Sequence, residues 1–247
     1  MGLPSPAVVE YVAVAGYDFA VVDTEHGAIS AETVEHMIRA GNAFGLDVVV
    51  RVGANDRAPI QVALDAGAAG VQIPMVESRE QAERAVRFAR YAPYGSRGLA
   101  GNRAAAYAPM NAELMADANS SVIVIAQIET VAGKAVAAEI AAVPGVDVVF
   151  VGPTDLSQSM GYPGAIESSE VNAAIDEIAA AAARDSILGT LARSPGSAGS
   201  FLERGFQVIE VAANSLILRA LKDYIEPIRG LHGASVPLPE LDASSSR

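Results

Sequence analysis

The chain has 247 residues, 51% of them apolar and 19% charged, enough to bury the core of one large domain and incompatible with disorder throughout. A formal net charge of −12 repels phosphate backbones and anionic lipid surfaces, so neither nucleic acid nor a membrane is an expected partner. With no cysteine, a disulfide framework, a thiolate nucleophile and a thiolate-ligated zinc are all excluded.

The chain opens on a helical segment, Ser5–Ala15, and then alternates short β-branched runs with Ala-rich stretches of helical period. The runs are Phe19–Asp23, Val48–Val52, Gly70–Pro74, Val122–Ile128, Val146–Val151, Ile187–Leu191 and Val208–Ala212. They are continuously apolar, as expected of parallel strands covered on both faces. Helices are expected over Glu32–Ala43 with Ser30 as cap, over Arg79–Arg90, Val171–Arg184 and Leu216–Ile228, with a long loop over Pro93–Pro109. The charges of Arg79–Arg90 fall as Glu80–Arg84 and Glu83–Arg87 pairs on a solvated face.

This alternation predicts an α/β fold, a (β/α)8 TIM barrel whose first strand is truncated or very short, because only Met1–Pro4 precede the first helix. An open doubly wound sheet is the competing architecture, but no G-x-G-x-x-G follows any strand. Residues 1–232 are expected to form one domain that includes the C-terminal helix, and residues 233–247 a disordered tail. No signal segment and no apolar run of about 20 residues is present, which points to the cytoplasm.

In such a barrel the reactive groups follow the C-terminal ends of the strands. "VVDTEHG" supplies Asp23, Glu25 and His26, "DVVVR" supplies Arg51, and "IAQIET" supplies Gln127 and Glu129, which share parity. "VGPTDLS" supplies Asp155 beyond a Gly-Pro turn. Glu129 and Asp155, on adjacent strands in a water-poor mouth, repel unless a cation lies between them. Oxygen ligation suits Mg2+ or Mn2+, with Co2+ also admissible. Pairing of both acids with some of the 15 arginines is the alternative. Arg51 offers a planar fork for a substrate carboxylate, or else a salt bridge at the rim. Asp65, late in a helix and just before a strand, belongs at the far end of the barrel, so a histidine that it oriented would belong to a neighbouring subunit; otherwise it is an exposed helix-end aspartate. His36 reads as a surface residue beside Glu32, and His232 lies near the tail. Of the two lysines, Lys134 and Lys222, neither is placed to form an imine in the mouth.

Six motifs in sequence, "GYDFAVVDTEH", "VVVRV", "LDAGAAGVQIPMVES", "RYAPYGSRG", "IAQIET" and "VFVGPTDLSQSMGYPG", resemble the HpcH/HpaI family of metal-dependent pyruvate aldolases from about Pro4 to about Leu221. The resemblance implies a (β/α)8 barrel and a homo-oligomer, typically a hexamer that exchanges C-terminal helices. It implies Glu129 and Asp155 as metal ligands, Gln127 near the bound ketoacid, Arg51 on the pyruvate carboxylate, His26 as base and Asp65 as its partner. Glu25 and Arg97 also match family positions. "DTEHG" and "GPTDLS" stand where the family more often has "DGEHA" and "GPADLS". The expected reaction is class II aldol cleavage of a 4-hydroxy-2-oxoacid to pyruvate and an aldehyde. The alternatives are a CoA-thioester lyase of the citrate-lyase β and malyl-CoA lyase type, for whose nucleotide this acidic chain has no lysine cluster, and a barrel that binds metal and ketoacid without turnover.

Overall fold

The structure is a computed structural model that describes residues 1–231; the expected tail and His232 lie outside the described residues. Seven strands form one sheet in chain order, all neighbours parallel: β1 (Phe19–Asp23), β2 (Asp47–Arg51), β3 (Gly70–Ile73), β4 (Ile123–Ile128), β5 (Val148–Val151), β6 (Ile187–Leu191) and β7 (Val208–Glu210). The helices are α1 (Pro6–Val14), α2 (Ala31–Ala43), α3 (Arg57–Asp65), α4 (Arg79–Ala89), α5 (Ala112–Ser121), α6 (Val131–Ala135), α7 (Ala137–Ala141), α8 (Pro153–Ser159), α9 (Ser169–Ala182), α10 (Pro195–Glu203) and α11 (Ala213–Leu231). The chain divides into two units, Met1–Ala212 and the segment from Ala213 onward.

Local chemistry sets the element ends. Ser30, Ser78, Asn111 and Ser168 each accept a backbone N–H in the first turn of the helix that follows, satisfying one of its orphan donors. On α4 the ion pair that forms is Arg79 with Glu83, Nε to Oε1 at 2.8 Å. The Pro93–Pro109 connection is irregular apart from one short 3-10 turn at Arg103–Ala105.

Strand parity builds two cores. Val22, Val48, Val50, Val71, Ile73, Val124 and Ile128 point outward and pack with helix residues such as Met37, Ile38, Ile60, Leu64 and Ile175. Val49, Ile125, Val148 and Phe150 point inward, and Val21 of β1 and Val208 of β7 pack against this same inner cluster. A flat sheet would hold its first and last strands far apart; a shared inner cluster means that the sheet curls around a filled lumen. No β7–β1 ladder is present among the described residues. At the open edge of β1, the Met1 carbonyl accepts the Asp23 N–H at 3.1 Å and the Met1 amino group bonds the Val21 carbonyl.

Ile38 is fully buried between α2 and the sheet. Ile38→Ala is expected to lower the unfolding free energy by about 2–5 kcal/mol, measured by urea titration, because the helix layer cannot collapse onto the lost volume.

Candidate active site

The C-terminal ends of β1 to β5 carry a layer of polar side chains above the apolar lumen. Asp23 and Arg51 are register partners on β1 and β2. Arg51 grips Asp23 in two places, Nε to Oδ1 at 2.9 Å and Nη2 to Oδ2 at 2.6 Å, while Nη1 faces Glu25 Oε2 at 3.4 Å. Burial opposes ionisation of Asp23, but the Arg51 guanidinium outweighs it and holds the carboxyl below its usual range. The expected free fork of Arg51 is therefore half engaged. The nearest carboxylate across the ladder takes the Nε edge, as the rim salt-bridge alternative anticipated, and the Nη1 end meets only Glu25, at the longer distance of 3.4 Å.

Gln72 of β3 is almost fully buried and donates Nε2 to Gln127 Oε1 at 2.6 Å. Gln127 in turn donates to Glu129 Oε2, and the Met75 N–H donates to Glu129 Oε1 at 2.8 Å. Met75 stands at φ 54°, a left-handed conformation that is unusual for its side chain and lies at this polar layer. Gly152 admits the packing: a Cβ there would lie 2.6 Å from Glu129 Oε2 and 2.9 Å from its Cβ. Asp155 follows in the first turn of α8, behind Pro153, and is exposed.

Burial first, and then the nearby charges of Asp155 and Glu25, push the Glu129 carboxyl up to about 7. Burial likewise pushes Glu25 up, again with Asp155 close by. Glu25 Oε2 is buried and makes no hydrogen bond. Among the described residues no acid is within ion-pair range of a base at Glu129 or Asp155, so these carboxylates did not find the arginine partners that were the alternative. The donor set fits a hard divalent cation: carboxylate oxygens, unneutralised, with open positions for water and substrate. No group of three or more His, Asp or Glu side chains that could hold a metal is present among the described residues, so two carboxylates would be the protein's share.

His26 lies on the loop after β1, exposed, its N–H bonded to Asp23 Oδ1 at 3.2 Å and its Nε2 3.8 Å from Glu25 Oε2. Asp65 ends α3 and is not exposed; it accepts Arg97 Nη2 at 2.8 Å and Gln61 Nε2 at 3.4 Å. It precedes β3, whereas His26 follows β1, so the two stand at opposite ends of their strands and one chain does not join them. The exposed helix-end reading of Asp65 is corrected by the buried Arg97 that neutralises it.

Two groups at this layer, Gln72 and Glu210, escaped the sequence analysis, as did the pairing of Asp23 with Arg51. Gln72 was visible only as a polar residue at inward parity in "GVQIP". Glu210 ends β7 with Oε1 buried and unpartnered, and burial pushes its carboxyl up to about 7. Its signal was a lone acid in "VIEVA".

A parallel α/β sheet curled around an apolar lumen, with carboxylates at the C-terminal ends of its strands beside the part-buried Arg51, defines the class: a barrel-type α/β enzyme. The chain belongs to the HpcH/HpaI aldolase/citrate lyase family, whose model matches residues 1–220, and is a carbon–carbon lyase. It is 37% identical to 2-dehydro-3,6-dideoxy-6-sulfogluconate aldolase of Pseudomonas putida, over 94% of this chain and 91% of that enzyme. It is also 37% identical to a hydroxypyruvate/pyruvate aldolase of Paraburkholderia phytofirmans, over 93% of this chain and 91% of that one. A crystal structure of a family protein from Burkholderia cenocepacia J2315 superposes with TM-score 0.88 at 36% identity, over 93% of this chain and 92% of that one. The family depends on divalent metal.

Gly152→Ala is expected to displace Glu129 and weaken divalent-cation binding, measured by calorimetry, by about tenfold or more, ~1.4 kcal/mol, with the circular dichroism spectrum unchanged. The Glu129 carboxyl releases its proton near 4.5 when unfolded and about 7 when folded, so its contribution to stability is full below about 4.5 and is lost as pH rises through about 7. Thermal unfolding in chelator should show this fall, and Glu129→Gln should reduce it, leaving the part that Glu210 contributes over the same range.

Proposed function

We propose that this protein is a class II aldolase that reversibly cleaves a 4-hydroxy-2-oxoacid into pyruvate and an aldehyde. The observation that carries the reading is the Glu129 carboxyl, buried near Asp155 and Glu25 with no cationic partner among the described residues, while Arg51 pairs with Asp23 and Glu25 instead. Aldolase-named relatives at 37% identity support it.

Glu129 and Asp155 would hold the cation, Mg2+ or Mn2+ with Co2+ as a third candidate. Bound there, a divalent ion supplies electron withdrawal from the ketoacid oxygens. Arg51, steadied by Asp23, would turn Nη1 from Glu25 to the substrate carboxylate and offset the negative charge that develops at cleavage. Gln127, its amide fixed by Gln72, borders the ketoacid and keeps Glu129 in place. His26 accepts the proton of the C4 hydroxyl; the C3–C4 bond then breaks, the aldehyde departs, and C3 is reprotonated to give pyruvate. The exposure of His26 leaves it free to reach the substrate from the mouth.

Asp65 fits a role only across a subunit boundary, at the histidine of a neighbouring copy. A homo-oligomer is supported by α11, which carries exposed Ile217, Leu221, Tyr224 and Ile228 at helical spacing. Residues 1–212 then form the barrel, with α11 as an exchange element. A cytoplasmic location agrees with the absence, among the described residues, of any helix long and apolar enough to cross a membrane.

A pyruvate-release assay across 4-hydroxy-2-oxoacids tests this reading. Chelator is expected to abolish release and added Mg2+ or Mn2+ to restore it, whereas borohydride with substrate should leave the enzyme untrapped. His26→Ala should lower kcat by about 10²–10⁴-fold. Cleavage of malyl-CoA or citramalyl-CoA in place of the free acids would instead establish the thioester reading, and no turnover of either would leave a binding protein.

A further inference from the structure

At the other end of the strands is a cavity of about 390 Å³, lined by α2, α3, α5 and the connection after α4. Ala68 lies two residues before β3 and Val122 one before β4, so the cavity is at their N-terminal ends, whereas Gln127 and Glu129 lie at the C-terminal end of β4. Its volume falls in the range of about 300–1,000 Å³ usual for small-molecule sites.

The polar groups of this cavity are deep and unsatisfied. The Arg97 side chain is 2% exposed and its Nε is buried without a hydrogen-bond partner, although its Nη2 holds Asp65 and its guanidinium stacks 4.7 Å from the Tyr91 ring centroid. Asn102 Nδ2 is also buried with no bond of normal geometry, although the Tyr91 hydroxyl is close enough to be influenced by it. Arg103 donates Nη1 to the Ala66 carbonyl at 2.8 Å and brings Nη2 within 3.1 Å of the Asn42 side-chain amide, which accepts from it with the amide turned oxygen-inward, and no carboxylate pairs with it among the described residues. Gly67 makes room for it, since a Cβ there would lie 2.5 Å from Nη1. A buried donor without an acceptor costs about 1–3 kcal/mol, so the Arg97 Nε and the Arg103 guanidinium in this lining, the latter with no carboxylate partner, call for an acceptor-rich, negatively charged occupant.

We propose that this cavity is a second ligand site, distinct from the acidic mouth, and that it binds a small monocarboxylic acid. Charge selects the monoanion. Arg97 is already neutralised by Asp65, which leaves Arg103 as the uncompensated cation, and Asp117 stands exposed at the solvent side. A phosphate dianion would face one free positive charge and a nearby carboxylate. The remaining wall, including Leu64, Leu114 and Val122, suits a short hydrocarbon body rather than a polyol.

Propanoate and butanoate, which lack the 2-oxo group needed to chelate at the mouth, and inorganic phosphate are titrated calorimetrically into the metal-stripped full-length protein. Saturable millimolar binding of the carboxylates is expected. It should persist in Arg51→Leu, weaken about tenfold or more, ~1.4 kcal/mol, in Arg103→Gln, and be lost in Ala118→Phe, which fills the cavity and leaves every polar group in place. If no carboxylate saturates, those donors are served by water and the proposal fails. Binding that Arg51→Leu abolishes while Arg103→Gln and Ala118→Phe retain it belongs to the mouth and equally overturns it. Saturation by phosphate alone overturns the carboxylate assignment.

Discussion

A carboxylate set above an apolar lumen either meets a positive charge or keeps its proton, because neither water nor the protein interior otherwise compensates its field. The lumen here is filled by Val49, Ile125, Val148 and Phe150, so every acid in the layer above is subject to that choice. Asp23 takes the first course, with both oxygens on Arg51. Glu129 receives hydrogen bonds from Gln127 and the Met75 N–H, but these are neutral dipoles, and its carboxyl remains pushed up to about 7. The difference between the two acids divides the mouth into a closed ion pair and an open demand for charge. The functional reading rests on the second.

Backbone geometry keeps that demand from being met internally. Gln127 and Glu129 share parity at the end of β4, so both enter the mouth together, and the Gln72–Gln127 bond fixes which way the Gln127 amide faces. With its oxygen held by Gln72, only the Nε2 group can turn towards Glu129. Gly152 leaves no side chain between β5 and that carboxylate, and the Gly-Pro turn starts α8 immediately, so Asp155 enters on the first helical turn. A helix N-terminus favours negative charge, which holds an acid near Glu129 without supplying a full counter-charge. Arg51 could have served, but its Nε edge belongs to Asp23 across one ladder step.

The strands were legible because buried parallel strands leave continuous β-branched runs, and the observed strands fall within those runs to within two residues at each end. The residues of the mouth were legible for a related reason: a polar residue that ends an apolar run in a barrel has little to do structurally. Pairings were not legible. Arg51 with Asp23 depends on register between strands 28 residues apart in sequence, and Asp65 with Arg97 on a connection 32 residues long. On α4, Glu83 turned towards Arg79 rather than Arg87, although both spacings are i,i+4. Spacing defines which partners are possible, and tertiary surroundings choose among them. Gln72 was missed because an amide within a strand reads as a tolerated exception until its bond to Gln127 is seen.

An acid held near a pKa of about 7 at the mouth ties three equilibria together. A cation that binds Glu129 must displace its proton, so affinity and proton release rise together with pH. Binding to the folded chain alone also stabilises it, by RT ln(1 + [L]/Kd). Folding without the cation forgoes that gain and leaves an ionised Glu129 destabilised above about pH 7. A hydrophobic replacement at this position would remove the strain and the binding together. On the proposed reading the same side chain would be unfavourable for the isolated fold and favourable for the loaded one, as expected where function rather than stability has set the residue.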